Sequence, residues 1–273
     1  MAVITISRQV AALGDEIGAA LAKELGYTFI GRKMLEQRLI DLGFPVEKLK
    51  RYDERKPGFF ASLAKERDEY LDYLQTAVLE AALDDDCILI GRGTFVILND
   101  LPHRISVRLI ADDDVRRARL MNEFSWNEKQ AQQRITESDT NREGFHKTFF
   151  NLGSDLPHHF HLVLNTALVD IDGAVKVLAD LTRHLITPEK DALGKLKLAE
   201  LLTAQQLVNK LIFEHKLNIF FLRAVIQDKT VHLQGIADSA ALAEKAVGIA
   251  STLMSGYKVE SGISVVQDFK AYP

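Results

Sequence analysis

The chain has 273 residues, a formal net charge of -4, a hydrophobic share of 47% and a pI near 6.1. These values are typical of a globular protein with one large and one small domain. The net negative charge disfavours non-specific binding to a nucleic-acid polymer. No apolar stretch approaches the length of a membrane span, and the single cysteine, Cys87, suits a reducing compartment. We therefore expect a cytoplasmic protein without a membrane span.

The chain begins with the layout of a strand, a phosphate-binding loop and a helix. Residues 3–6 predict a buried strand, residues 7–14 a loop, and residues 16–25 an amphipathic helix. Phosphate-binding loops ordinarily use several glycines, which let backbone N–H groups approach phosphate oxygens, and a lysine at the start of the helix. Here Gly14 is the one glycine of the loop, no lysine follows it, and Asp15 adds negative charge. The architecture indicates a nucleotide, while the loop chemistry is unusual for a kinase.

Further apolar runs alternate with helical patterns up to residue 185. The predicted strands are 27–30, 87–90, 105–110 and 161–165, and the predicted helices are 33–42, 59–83, 112–123, 127–139 and 171–185. This alternation is typical of an α/β fold, in which helices cover both faces of a parallel sheet.

A second, smaller unit is predicted after a polar connector at residues 187–200. Its pattern reads helix (201–215), strand (219–226), turn, strand (230–233), helix (239–253) and strand (258–266). An α+β unit of about 70–80 residues is near the lower end of independently folding size. The predicted division is therefore a domain at 1–186, a linker at 187–200 and a domain at 201–273.

The histidine-containing run from Pro157 to His161 is the strongest candidate for a metal site. The residues nearby do not complete a set of four ligands, and adjacent imidazoles do not readily face one ion. The acidic run from Asp112 to Asp114 is interpreted as a helix start, where carboxylates are favoured. We expect no metal site in the protein itself.

Residues 1–185 resemble the cytidylate-kinase-like family, a branch of the P-loop nucleoside monophosphate kinases. The resemblance is carried by 4–8, Ile17-Gly18, Leu21-Ala22, Leu25-Gly26, Ile90-Gly91-Arg92-Gly93, Arg116, Arg119, Asp139, Arg142 and Asn165-Thr166. It implies a five-stranded parallel sheet, a phosphate loop after the first strand, a monophosphate pocket and an arginine-bearing lid that closes over Mg-ATP. It implies no covalent cofactor.

The resemblance also assigns site residues. The donor nucleotide would face the loop through Ser7, Arg8, Ala11, Ala12, Gly14, Asp15 and Glu16, and the acceptor phosphate would lie at Arg32 and Arg92. Arg116, Arg119 and Arg142 would stabilise the transferring phosphoryl group, with Asp139 orienting an arginine of the lid. Two glycines and the basic residue of the family's loop are absent, and Leu13 stands where a branched side chain resists a positive φ. Each arginine alone is also compatible with an ordinary surface or ion-paired residue.

The C-terminal unit resembles a BON module, of α-β-β-α-β order. The resemblance is carried by 201–215, 231–235, 240–251 and 259–263. Such modules are associated with protein contacts or lipid surfaces, so a protein partner or self-association is expected there. Two functions remain open: a nucleotide-binding kinase that transfers phosphate from Mg-ATP to a monophosphate such as CMP, or a catalytically inactive kinase-fold sensor or scaffold.

Overall fold

A five-stranded parallel sheet forms the centre of the N-terminal part of the chain. The computed structural model of the protein describes residues 2–49, 52, 64–84, 86–153 and 156–266. The strands are β1 (Val3–Arg8), β2 (Thr28–Ile30), β3 (Cys87–Ile90), β4 (Arg104–Ile110) and β5 (Leu162–Asn165), in the order β2-β3-β1-β4-β5. All four neighbouring pairs are parallel. The α/β fold class expected from the sequence is confirmed.

Helices cover both faces of this sheet. They are α1 (Gly14–Leu25), α2 (Arg32–Asp41), α3 (Val46–Leu49), α4 (Ala64–Leu83), α5 (Thr94–Ile97), α6 (Asp113–Phe124), α7 (Glu128–Phe150), α8 (Ile171–Leu185) and α9 (Pro188–Asn209). Side chains alternate between the faces of a strand, so Val3 packs with α2 and α4 on one side while Ile4 packs with α1 and α8 on the other. The first part of the helix expected at 59–83, residues 59–63, lies outside the described residues.

A separate three-stranded sheet follows in the C-terminal part. After α9 come a π-helical turn (Lys210–Glu214), β6 (Phe220–Gln227), β7 (Thr230–Ala237), α10 (Ala240–Leu253) and β8 (Lys258–Val265). β6 pairs antiparallel with β7, and β7 pairs parallel with β8. The small C-terminal unit is thus present with its own sheet and its own apolar core. Its likeness to a BON module stays a prediction.

The polar connector predicted at residues 187–200 is helical and continuous with the helix predicted to begin at residue 201. Residues 188–209 form one helix, α9, which Pro188 begins at a position where proline is favoured. Leu198 and Leu202 of α9 pack into the core beside the large sheet, whereas Leu207 packs into the core of the small sheet. One helix is therefore shared by both cores.

The described residues include no helix with the length and hydrophobicity of a membrane span.

Candidate functional site

The loop between β1 and α1 keeps a tight backbone despite its missing glycines. Ala11 and Leu13 adopt left-handed backbone angles, with φ of 59° and 55°. A non-glycine residue pays a strain of about 1–2 kcal/mol in this conformation. Leu13 adopts the positive φ that its branched side chain disfavours, and it occupies the N-cap position of α1. The fold therefore tolerates this strain.

The N-terminus of α1 opens into a cavity of ≈ 620 Å³, here called the loop cavity. Its described lining comprises Arg8, Gln9, Val10, Ala11, Leu13, Gly14, Asp15, Glu16, Leu120, Glu123, Phe124, Trp126, Arg134 and Arg142. No side chain caps this end of α1 among the described residues, and the first N–H groups of a helix have no partner within it, so the end carries a partial positive charge. Three arginines and three carboxylates share the cavity. The site can attract a phosphate group, but it lacks the net positive charge of a usual triphosphate site.

Arg116 of α6 is buried and holds the loop to the lid, a name used here for α6 and α7. It is 1% exposed, and its Nε donates to the carbonyl oxygen of Val10 at 3.0 Å. One Nη donates to both carboxylate oxygens of Asp139, at 2.9 and 2.8 Å, and the other to Asp113 at 2.9 Å. Asp139 thus orients Arg116, while its oxygen lies 3.9 Å from Arg142.

Arg119, one turn further along α6, makes a second link to the loop. It donates to the carbonyl oxygen of Ala11 at 2.9 Å, to Oγ1 of Thr166 at 3.1 Å and to the carbonyl oxygen of Thr166 at 2.6 Å. Burial lowers the pKa of Arg119, and the nearby charge of Glu16 opposes that shift. Two of the predicted catalytic arginines therefore bind loop carbonyl groups in this structure.

Ser7 lies at the end of β1 and is bonded to an arginine that sequence reasoning missed. Its hydroxyl accepts a hydrogen bond from Nη1 of Arg108 at 3.0 Å. Arg108 is directly opposite Ser7 in the parallel register of β1 and β4. Burial lowers the pKa of Arg108, while the charge of Asp139 raises it. A cation within the apolar run 104–110 is the signal that could have identified it.

Arg32 and Arg92 come together through a carboxylate that the sequence did not single out. Arg92, buried, donates to Oε1 of Glu36 at 2.6 Å and to the hydroxyl of Tyr70 at 2.7 Å. Arg32 donates through Nε to the same Glu36 oxygen at 2.7 Å. Neither arginine is among the described residues that line the loop cavity. The predicted acceptor residues thus form a separate, internally paired cluster.

The remaining predicted site residues fall into two groups. The loop cavity is lined by Arg142 of α7 and by five residues of the loop and the start of α1: Arg8, Ala11, Gly14, Asp15 and Glu16. Ala12 is fully buried in the core below the cavity. Gly14 is needed for close packing, since a Cβ there would lie 2.6 Å from Cγ of Arg8. No group of three or more His, Cys, Asp or Glu side chains among the described residues could hold a metal ion.

The fold and site together define a class. A five-stranded parallel sheet, flanked by helices and with a loop leading from β1 into a helix N-terminus, is the arrangement that the resemblance to the cytidylate-kinase-like family predicts. Residues 3–168 match the model of the Cytidylate kinase-like family, and the chain belongs to that family.

Several solved structures are similar to part of this chain at low sequence identity. An uncharacterized protein from Eubacterium ventriosum is 19% identical over 67% of this chain and 98% of that chain, with a TM-score of 0.55. Shikimate kinase from Bacteroides thetaiotaomicron is 14% identical over 67% and 98%, with a TM-score of 0.42. A gluconokinase from Sinorhizobium meliloti is 14% identical over 67% and 95%, with a TM-score of 0.40. No curated protein matches the chain.

Proposed function

We propose that the loop cavity binds the phosphate groups of a nucleotide and that the chain is a nucleotide sensor of kinase fold that does not transfer phosphate. The observation that carries the proposal is the composition of the cavity, in which Arg8, Arg134 and Arg142 line the same space as the positive end of α1. Arginine and helix N-terminal N–H groups are the donors that phosphate oxygens prefer.

The acidic residues of the cavity fit a nucleotide that brings a divalent cation. Asp15 and Glu16 are exposed on the first turn of α1 and line the cavity. Mg²⁺ in nucleotide sites is commonly held by one or two carboxylates together with the phosphates. Asp15 and Glu16 would hold the cation of Mg-ATP, which would neutralise phosphate charge that the three arginines leave unbalanced.

Two features favour binding without turnover. The loop has no lysine to reach the outer phosphates, and Arg116 and Arg119 are engaged by the loop carbonyl groups of Val10 and Ala11. Phosphoryl transfer depends on cations that converge on the transferring group. In this structure Arg116 and Arg119 instead stabilise the contact between the lid and the loop.

The paired state of Arg92 adds to this argument. Its guanidinium is enclosed by Glu36 and Tyr70, and the same carboxylate binds Arg32. An acceptor phosphate would have to displace Glu36, whose negative charge opposes the approach of a second anion. The acceptor role is therefore the weaker part of the family's chemistry in this chain.

A second candidate function is phosphate transfer from Mg-ATP to a nucleoside monophosphate such as CMP. The position of the lid favours it, because Arg119 reaches from α6 to Ala11 and Arg142 of α7 lines the loop cavity. In this function the arginines of the lid would exchange loop carbonyl groups for phosphate oxygens. Arg32 and Arg92 would exchange Glu36 for the acceptor phosphate.

One paired experiment separates these functions. The thermal midpoint of the protein is measured with Mg-ATP, with CMP and with both, and ADP formation is followed in a coupled assay across the common monophosphates. We expect Mg-ATP to raise the midpoint without ADP formation above background. Arg142→Ala should abolish the rise, because it removes a cation from the cavity, and Lys129→Ala on the outer face of α7 should keep it.

The other outcomes are equally informative. ADP formation that requires a monophosphate and is lost in Arg142→Ala would refute the sensor proposal and support the kinase. The absence of any nucleotide-dependent shift would refute both functions.

A further inference from the structure

A second cavity lies at the junction between the two sheets, far along the chain from the loop. This junction cavity, of ≈ 330 Å³, is lined by Asp68, Glu69, Leu71, Asp72, Gln75, Ile212, Phe213 and residues 216–223. One wall belongs to α4 and the other to the segment that joins the π-helical turn to β6. Small-molecule sites are commonly apolar clefts of about 300–1,000 Å³ at such junctions.

The apolar wall is well packed from behind. The ring of Phe213 stacks on Tyr73 of α4 at a centroid distance of 4.7 Å, and Leu217, Ile219 and Leu222 belong to the buried core of the small unit. Because these side chains are held by their own neighbours, the wall does not depend on a ligand for its shape. The cavity is therefore preformed.

Two of the three carboxylates on the opposite wall have cationic partners. Asp68 accepts hydrogen bonds from Nε and Nη2 of Arg67 at 3.0 and 2.9 Å, and Glu69 lies 3.4 Å from Nζ of Lys48. Their charges are thus compensated within the protein.

Asp72 differs from its neighbours. It accepts a hydrogen bond from the side-chain amide of Gln205 at 3.1 Å, and no ion pair joins it to a cation among the described residues. The pKa of Asp72 is raised to about 7, chiefly by burial and also by the charges of Asp68 and Glu69, while the hydrogen bond from Gln205 and the charge of Arg223 act in the opposite direction. A partly buried carboxylate without an ion-pair partner among the described residues thus lines the cavity, and a cation there would favour its ionised form.

We propose that the junction cavity binds a small organic ammonium ion, with its charged group on Asp72 and its apolar body against Phe213 and Leu217. Lys216 and Arg223 also line the cavity and disfavour a ligand with several positive charges. The ligand class is therefore a monocation with a flat or branched apolar body. Because α4 packs in the core beside the large sheet and β6 belongs to the small sheet, such a ligand would stabilise the junction.

The backbone of β6 supports this position for a ligand. The pairing of β6 with β7 is irregular between Phe220 and Arg223, and Phe221 has a φ of 53°. The guanidinium of Arg67 lies 5.9 Å from the centre of the Phe221 ring, which is half-exposed at the cavity. Bulges of this kind redirect side chains and are frequent beside binding sites.

The test is calorimetric titration of the full chain with tryptamine as the probe, beside indole-3-propionate, which presents a similar ring with a negative charge. We expect saturable binding of tryptamine and none of indole-3-propionate. Raising the pH from 6 to 8 should tighten tryptamine binding by about tenfold, since the ionised fraction of a carboxyl with a pKa of about 7 rises by about that factor.

Variants complete the test. Asp72→Asn keeps an oxygen that can accept from Gln205 but has no charge, so it should weaken tryptamine binding by about tenfold or more and remove the pH dependence. Asp180→Asn, on an exposed part of α8, should bind as the unchanged protein does. The proposal is overturned if tryptamine does not bind, if indole-3-propionate binds equally well, or if Asp72→Asn leaves tryptamine affinity unchanged.

Discussion

Replacement of Asp72 by asparagine should stabilise the protein at alkaline pH. The pKa of Asp72 is about 7 in the folded protein against an ordinary value of 3.8, so the folded protein holds a proton that the unfolded chain has released between these two values. Stability therefore falls as the pH rises from about 4 to about 7 and stays low above it. An asparagine at this position does not titrate, so it adds no pH dependence to the stability.

The magnitude follows from the size of the pKa shift. Each pH unit between the two pKa values costs about 1.4 kcal/mol, and about two of these units lie between pH 5 and the pKa of Asp72. The difference in the free energy of unfolding between Asp72→Asn and the unchanged protein should thus shift in favour of the variant by about 2–3 kcal/mol between pH 5 and pH 8.

Urea unfolding at both pH values, followed by far-ultraviolet circular dichroism, measures this difference. Asp180→Asn is the control, because the side chain of Asp180 is 79% exposed and its replacement should shift stability equally at both pH values. An advantage of Asp72→Asn that is the same at pH 5 and pH 8, or that shrinks with pH, would refute the account of the junction carboxylate.

Three further predictions concern the loop, the lid and the shared helix. The double variant Leu13→Gly and Asp15→Arg should tighten Mg-ATP binding in calorimetry, because it relieves a left-handed leucine and replaces a carboxylate with a cation; unchanged affinity would mean that the loop is not a phosphate site. Arg119→Ala should lower nucleotide affinity more than Lys129→Ala does, because it removes the hydrogen bonds that hold the loop at Ala11 and Thr166; equal effects would remove the special role of Arg119. Limited proteolysis should spare residues 188–209, which form a helix packed against two cores, and rapid cleavage there would contradict the shared helix.

Sequence periodicity was sufficient for most of the fold. The apolar run 87–90 forms β3 as expected, because an uninterrupted buried strand leaves a clear local signal. The helix expected at 127–139 instead continues to Phe150, since no proline interrupts it and Gly144 does not end it; Asn151 then forms a left-handed C-cap. Element type was thus readable from local pattern, and element ends were less so.

The shared helix α9 was missed because its polar composition hides two separate contacts. The surface of α9 is charged, yet Leu198 packs into one core and Leu207 into the other. Gly194 lets the helix lie against His103, since a Cβ at this position would be 1.8 Å from the ring. These contacts join residues far apart in the chain, and no local pattern encodes them.

The sequence predicted residues of the candidate site, but it did not predict the partners to which their side chains are bonded. Sequence reasoning assigned Arg8 to the loop and Arg142 to the lid, and both line the loop cavity. It could not show that Glu36 would enclose Arg92, because the two residues come from distant segments and meet only in the fold. The roles assigned to the individual site residues stay predictions.

A nucleotide that occupies the loop cavity should change the fluorescence of Trp126. Trp126 is the single tryptophan of the chain, lines the cavity and stacks on Phe124 at a centroid distance of 4.6 Å. Titration with Mg-ATP should give a saturable fluorescence change with a midpoint well above about 10 μM, since the missing lysine removes charge-assisted contacts, and Arg134→Ala should weaken it. No fluorescence change at millimolar Mg-ATP, or an equal change in Arg134→Ala, would contradict nucleotide binding at this site.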